Sequence, residues 1–223
     1  MKKNNCDTIA ILDSGIGGIS ILKQLINKNK VGNYIYFADN LYMPYGNKDK
    51  EFVKNRVEEI IDYLKKNYHA NKIIIACNTA STCLYGIKDK TIEILKFNKS
   101  KTFLTTELTK KNLVGYNAIS SKNLATDIEK NIFNKHALNR IIKKEIKQNN
   151  LDKLSELTLG CTHYELVAEI FKKQCKNTRI LLNSSALIDR LNITKNSDLN
   201  VTIIMSKRIK KYENKLIKLL NNK

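Results

Sequence analysis

Short apolar runs alternate with amphipathic stretches along the chain, and this alternation predicts an α/β fold. The runs predict strands over residues 8–12, 34–38, 72–76, 112–116, 156–159, 179–182 and 201–205. Between the second and third, Phe52, Val53, Val57, Ile60, Ile61 and Leu64 fall on one face of a helix, opposite Lys54, Glu58, Glu59, Lys65 and Lys66. An earlier helix carries Ile19, Ile21, Leu22, Leu25 and Ile26, and a final one carries Ile209, Tyr212, Leu216, Leu219 and Leu220. The stretch 88–111 is rich in Lys and Thr and lacks a clean period, so it reads as a crossover between two domains.

Composition narrows the class. At 223 residues and 42% hydrophobic, the chain is long and apolar enough for a real core, which argues against disorder. No stretch reaches the length of a membrane span, and the apolar run 9–12 is too short for a secretory signal. The cysteines are Cys6, Cys77, Cys83, Cys161 and Cys175, an odd number without CxxC spacing. That usage fits a reducing cytoplasm and neither a disulfide framework nor a metal site. The net charge of +19 invites a nucleic-acid partner, but only five of the 40 basic residues are arginine and tryptophan is absent. Lysine abundance without arginine forks or interleaved aromatics reads as a solvated surface and disfavours nucleic-acid binding.

Two strand ends carry the candidate chemistry. Ile73-Ile74-Ile75-Ala76 leads into Cys77-Asn78-Thr79, and Leu157-Thr158-Leu159-Gly160 leads into Cys161-Thr162-His163-Tyr164. Each thiol is expected at the carboxyl end of a buried strand, where open α/β sheets hold ligands. A third strand ends in Asp13-Ser14-Gly15-Ile16-Gly17-Gly18. With Ser20 at the sixth position it fails the dinucleotide fingerprint, and it has no Gly-Lys-Ser/Thr of a phosphate loop. What remains is an acid and a hydroxyl beside a tight turn, either a helix cap or part of a site. Pro44-Tyr45-Gly46 contains the chain's one proline, in a loop of specified shape. Cys83 and Cys175, within helical stretches, read as structural thiols.

Together these segments resemble the glutamate racemase family of the aspartate/glutamate racemase superfamily. The match rests on residues 11–18, 44–46, 76–81 and 159–164, four motifs in order across most of the chain. The resemblance implies two flavodoxin-like three-layer α/β domains with the active site in the cleft between them. The first would cover residues 1–95, joined by a C-terminal helix at 206–223, and the second residues 96–205. It implies racemisation of L-glutamate to D-glutamate without a cofactor, supplying peptidoglycan, with an amino acid as the small-molecule partner and room for a homodimer. Cys77 and Cys161 would be the two acid/base thiols, with Cys161 acting on L-glutamate and Cys77 on D-glutamate. Asp13 and His163 would assist, while Ser14, Tyr45, Gly46, Asn78, Thr79 and Thr162, with Asp13 and His163, would bind substrate. The competing reading is a decayed racemase that binds an amino acid or an acidic partner.

The chain departs from the family pattern in its second half. Tyr116 to Ser121 replaces a threonine-containing substrate loop, and His136 to Arg140 replaces a Cys-Pro segment ending in glutamate, with Glu145 as the nearest acidic candidate. Glu165 stands at a common proline position and Asn183 at a frequent aspartate.

Overall fold

Strand and helix alternate from the start. The computed structural model describes residues 7–28, 32–191 and 199–221, so Cys6 lies outside the described residues. The first part comprises β1 (Thr8–Asp13), α1 (Ile19–Asn27), β2 (Asn33–Ala38), α2 (Lys50–Tyr68), β3 (Lys72–Ile75), α3 (Asn78–Cys83) and β4 (Ile92–Ile94). The second begins with β5 (Thr102–Thr105), α4 (Glu107–Asn112), β6 (Asn117–Ser120), α5 (Leu124–Asn131) and α6 (Lys135–Asn149). It continues with β7 (Glu156–Leu159), α7 (Thr162–Leu166), α8 (Ala168–Gln174), β8 (Arg179–Leu182) and α9 (Ser185–Arg190). Strand β9 (Asn200–Met205) and helix α10 (Lys210–Asn221) follow.

These elements build two parallel sheets with flanking helices, ordered β4-β3-β1-β2-β9 and β6-β5-β7-β8. In each, the second strand lies on one side of the first and the third on the other, the flavodoxin-like winding. The winding direction therefore reverses between β1 and β3, and again between β5 and β7. The carboxyl ends of those strands are where such sheets take ligands.

The continuous apolar run of β1 reflects burial on both faces. Ile9 and Ile11 pack with α1 and with Leu216 of α10, while Ala10 and Leu12 pack with Val53, Val57, Ile60 and Leu64 of α2. Asp49 starts α2 by accepting from the Glu51 and Phe52 amides at 2.8 and 3.4 Å. His69, at φ 53°, ends it in the left-handed conformation.

Three expectations are corrected. The domain boundary at 205 falls on the wrong side of β9, which pairs with β2 in the first sheet from Asn33↔Asn200 to Ala38↔Met205. The outer edge of β2 would otherwise present unpaired backbone groups. The stretch 88–111 is no plain crossover, since it holds β4, β5 and the start of α4. The strand expected over 112–116 lies at Asn117–Ser120. Leu113 is instead a turn residue packed with Phe97 and Phe103, and Val114 is 82% exposed. Among the described residues no helix is long and apolar enough to cross a membrane.

Candidate active site

The site is assembled at the two points where the sheets change winding direction. Strand β1 ends at Asp13, whose carboxylate accepts from the Gly15 amide at 3.1 Å and from Thr162 Oγ1 at 3.2 Å. Beyond β3, Cys77 precedes α3 and its Sγ donates to Ser14 Oγ at 3.9 Å. Beyond β7, Cys161 precedes α7, whose first turn carries Thr162 and His163. Both thiols are buried, at 6% and 7% exposure. Helix α5 supplies Glu129, whose Oε2 lies 2.6 Å from His163 Nε2 and accepts from the Ile16 amide at 3.3 Å.

Two glycines allow this close seam. A Cβ on Gly17 would sit 2.3 Å from Thr162 Oγ1, and one on Gly46 would sit 2.5 Å from Thr106 Cβ. No side chain fits at such separations. Further contacts across the seam are Asn183 Nδ2 donating to Asn78 Oδ1 at 2.8 Å, and Thr79 Oγ1 at 3.0 Å from Thr106 Oγ1 and 2.9 Å from Thr109 Oγ1.

Burial sets the protonation of the site, and neighbouring charges modify it. Burial pushes the Cys77 thiol well above its ordinary range, and the charge of Asp13 adds to the shift, so the proton stays on sulfur near neutral pH. Burial also raises Asp13, against the charge of His163 and the bonds from Gly15, Gly18 and Thr162. For His163, burial alone would strip the proton, but hydrogen bonds to Cys161 and Glu129, with their charges, hold the imidazolium well above its usual range. Glu129 is the mirror case. Burial would raise it, yet the bond and charge of His163, then Lys215 and the Ile16 amide, keep it below the usual carboxylate value.

No protein-family profile matches the chain. Individual relatives do. The glutamate racemase of Buchnera aphidicola subsp. Schizaphis graminum (strain Sg) is 32% identical over 73% of this chain and 76% of its own length. That of Buchnera aphidicola subsp. Acyrthosiphon pisum (strain APS) is 31% identical over 81% and 78%. The chain belongs to the glutamate racemase family. Among solved structures, glutamate racemase from Campylobacter jejuni subsp. jejuni superposes with a TM-score of 0.75 at 25% identity, covering 97% of this chain and 100% of that one.

Asp13, Ser14, Cys77, Asn78, Thr79, Cys161, Thr162 and His163, the residues from which chemistry is expected, lie along the seam. The Tyr45 hydroxyl does not face it freely. It donates to Asp39 Oδ2 at 2.6 Å, and Asp39 is also gripped by Arg56 through Nε and Nη2, each at 3.0 Å. Glu145, the expected acidic substitute, accepts from Ser121 Oγ at 3.0 Å and Asn149 Nδ2 at 2.8 Å. Glu129 takes the position beside His163 instead. Its signal in the sequence was a glutamate four residues after Ala125, on the buried face that also carries Leu124 and Ile128. Glu165 is buried and accepts from the Ser184 amide at 3.0 Å and its hydroxyl at 2.5 Å, fixing the turn that presents Asn183. Among the described residues the Asn78 Nδ2 amide has no hydrogen-bond partner, although it is buried.

Proposed function

We propose that the chain interconverts L- and D-glutamate by moving protons between Cα and two thiols, Cys77 and Cys161. One observation carries this reading. Two buried cysteines, one just beyond β3 and one just beyond β7, face one seam, where Cys77 bonds Ser14 and the neighbouring Asp13 bonds Thr162, the residue after Cys161. Family membership supports glutamate as the substrate, and D-glutamate as a peptidoglycan precursor.

An amino-acid Cα–H is a very weak acid, so its removal requires a dry site with fixed charges. With L-glutamate bound, the Cys161 thiolate takes the Cα proton: the C–H bond breaks and an S–H bond forms. Cys77 delivers its own proton to the opposite face, forming the new C–H bond and leaving a thiolate. The reverse reaction exchanges the two roles. Burial and the nearby Asp13 favour the proton-bearing form of Cys77, as a donor requires. The His163 imidazolium supplies the counter-charge for a Cys161 thiolate. Ser14, Asn78, Thr79 and Thr162 offer neutral donors for two carboxylates, and a carboxylate oxygen on Asn78 Nδ2 would relieve a buried, unpaired donor.

Incubation with L-glutamate in D₂O tests this reading. The expected result is deuterium at Cα together with decaying optical rotation, fastest on glutamate among glutamate, aspartate and alanine. Binding of glutamate without exchange or inversion would overturn it.

A further inference from the structure

The buried Glu129 carboxylate joins three parts of the chain. It projects from α5, is 3% exposed, contacts His163 of α7 through Oε2, and accepts from the Ile16 amide beyond β1. The third part is α10. Lys215 Nζ donates to the Glu129 backbone oxygen at 2.9 Å and stands 3.5 Å from Oε1. One ammonium thus holds both the main chain and the side chain of the residue that holds His163. We propose that Lys215 is a positioning residue for His163 and Cys161, acting through Glu129; its kinetic consequence rests on the racemase reading given above.

Geometry supports the assignment. The Lys215 side chain is 21% exposed and Leu216 beside it is fully buried, so α10 is anchored against the first sheet. A carboxylate held through Oε2 alone, by the imidazolium and the Ile16 amide, could still swing its other oxygen about the terminal torsion. A second cation on the other oxygen, with a bond to the same residue's carbonyl, restricts that rotation and fixes the direction of the 2.6 Å contact. With Nε2 committed to Glu129, the other ring nitrogen is the one left for Cys161. Among the described residues, Asp13 beyond β1, Tyr36 of β2 and Tyr212 of α10 also face the pair. None of them supplies a second cation. Lys215 meets the site at Glu129, so its influence passes through that residue's carboxylate.

Histidine NMR tests the proposal whether or not the chain racemises glutamate. The sequence has three histidines, and His69 and His136 are exposed, so an exchange-protected imidazole proton belongs to His163. In Lys215→Met that signal is expected to shift upfield and broaden by exchange, while Lys215→Arg retains it. On the enzyme, Lys215→Met is expected to lower kcat by roughly tenfold to a hundredfold with KM unchanged, and Lys215→Arg to restore kcat. An unaltered His163 signal in Lys215→Met overturns the proposal, and so does parental kcat in that variant. If Lys215→Met fails to fold, Lys215→Gln against Lys215→Arg decides by the same signal. Parental protein that shows the signal but no racemisation refutes the function while leaving the positioning role measurable.

Discussion

Thr162 Oγ1 lies 3.2 Å from Asp13 Oδ1, a buried hydrogen bond that ties the first turn of α7 to the end of β1. Thr162 follows Cys161 directly, and Asp13 precedes Ser14, the hydrogen-bond partner of Cys77, so this bond links the surroundings of the two thiols. The bond forms because Gly17 lets α7 approach.

Gly17→Ala is therefore expected to force the seam open. Its new methyl would lie 2.3 Å from Thr162 Oγ1 and 2.8 Å from the His163 amide nitrogen, and the amide cannot rotate aside. Overpacking of this kind costs about 1–3 kcal/mol, and kcat/KM should fall by roughly a hundredfold or more. Gly32→Ala, whose nearest neighbour atom is 4.0 Å away, serves as the control. Urea midpoints and turnover of both variants check the expectation. Unchanged turnover in Gly17→Ala would show that the seam tolerates a wider separation.

Cys77→Ser and Cys161→Ser should each reduce racemisation by about 10² to 10⁴, because an alcohol ionises far less readily than a thiol. Both sites are buried and the substitution is nearly isosteric, so thermal midpoints should stay close to the parent. Racemisation at the parental rate in either variant would remove that thiol from the mechanism.

Glu165 gives stability a specific pH dependence. Burial raises its carboxyl to about 7, against the bonds from Ser184. Folding therefore favours the protonated form. Its contribution is complete below the unfolded value near 4.5 and disappears as pH climbs to about 7. Glu165→Gln keeps a neutral group there. Relative to the parent it should gain up to about 3 kcal/mol between pH 4.5 and pH 8. Urea unfolding of both proteins across that range measures the difference, and a flat difference would contradict the assignment.

Arg56→Met should destabilise the fold by about 3–5 kcal/mol, since it strands the fully buried Asp39 carboxylate with Tyr45 as its remaining side-chain partner. The double variant Asp39→Asn/Arg56→Met should recover much of that loss. Equal losses in the single and double variants would mean that the cost comes from losing Arg56 and not from the stranded carboxylate.

The sequence exposed the site motifs and most strands because these carry dense local signals. Ile73 to Cys77 and Leu157 to Cys161 each join a buried apolar run to a thiol, and β1 reads from Ile9 to Leu12 without a polar break. The short strands β4 and β5 carry weak sequence signals for a physical reason. Ile92-Glu93-Ile94 sits among lysines at a sheet edge, and Thr102-Phe103-Leu104-Thr105 has only two apolar residues although it lies inside its sheet. Leu113-Val114 mimicked a strand, but that apolar pair is too short for its period to separate strand from turn. The contacts of Glu129 with His163 and Ile16, of Asp39 with Arg56, and of Thr106 and Thr109 with Thr79 span 17 to 113 positions, and only the folded geometry brings these partners within bonding distance.

The pairing of β9 with β2 has a consequence for the order of assembly during synthesis. Asn33 meets Asn200, 167 positions later, so one edge of the first sheet waits while the whole second sheet is translated. Until then β2 offers the bare backbone of Tyr34 to Ala38, a sticky edge on a nascent chain. Lys215 emerges only after β9. A stalled polypeptide that lacks these last segments would hold both thiols yet have an open sheet edge and an unclamped Glu129.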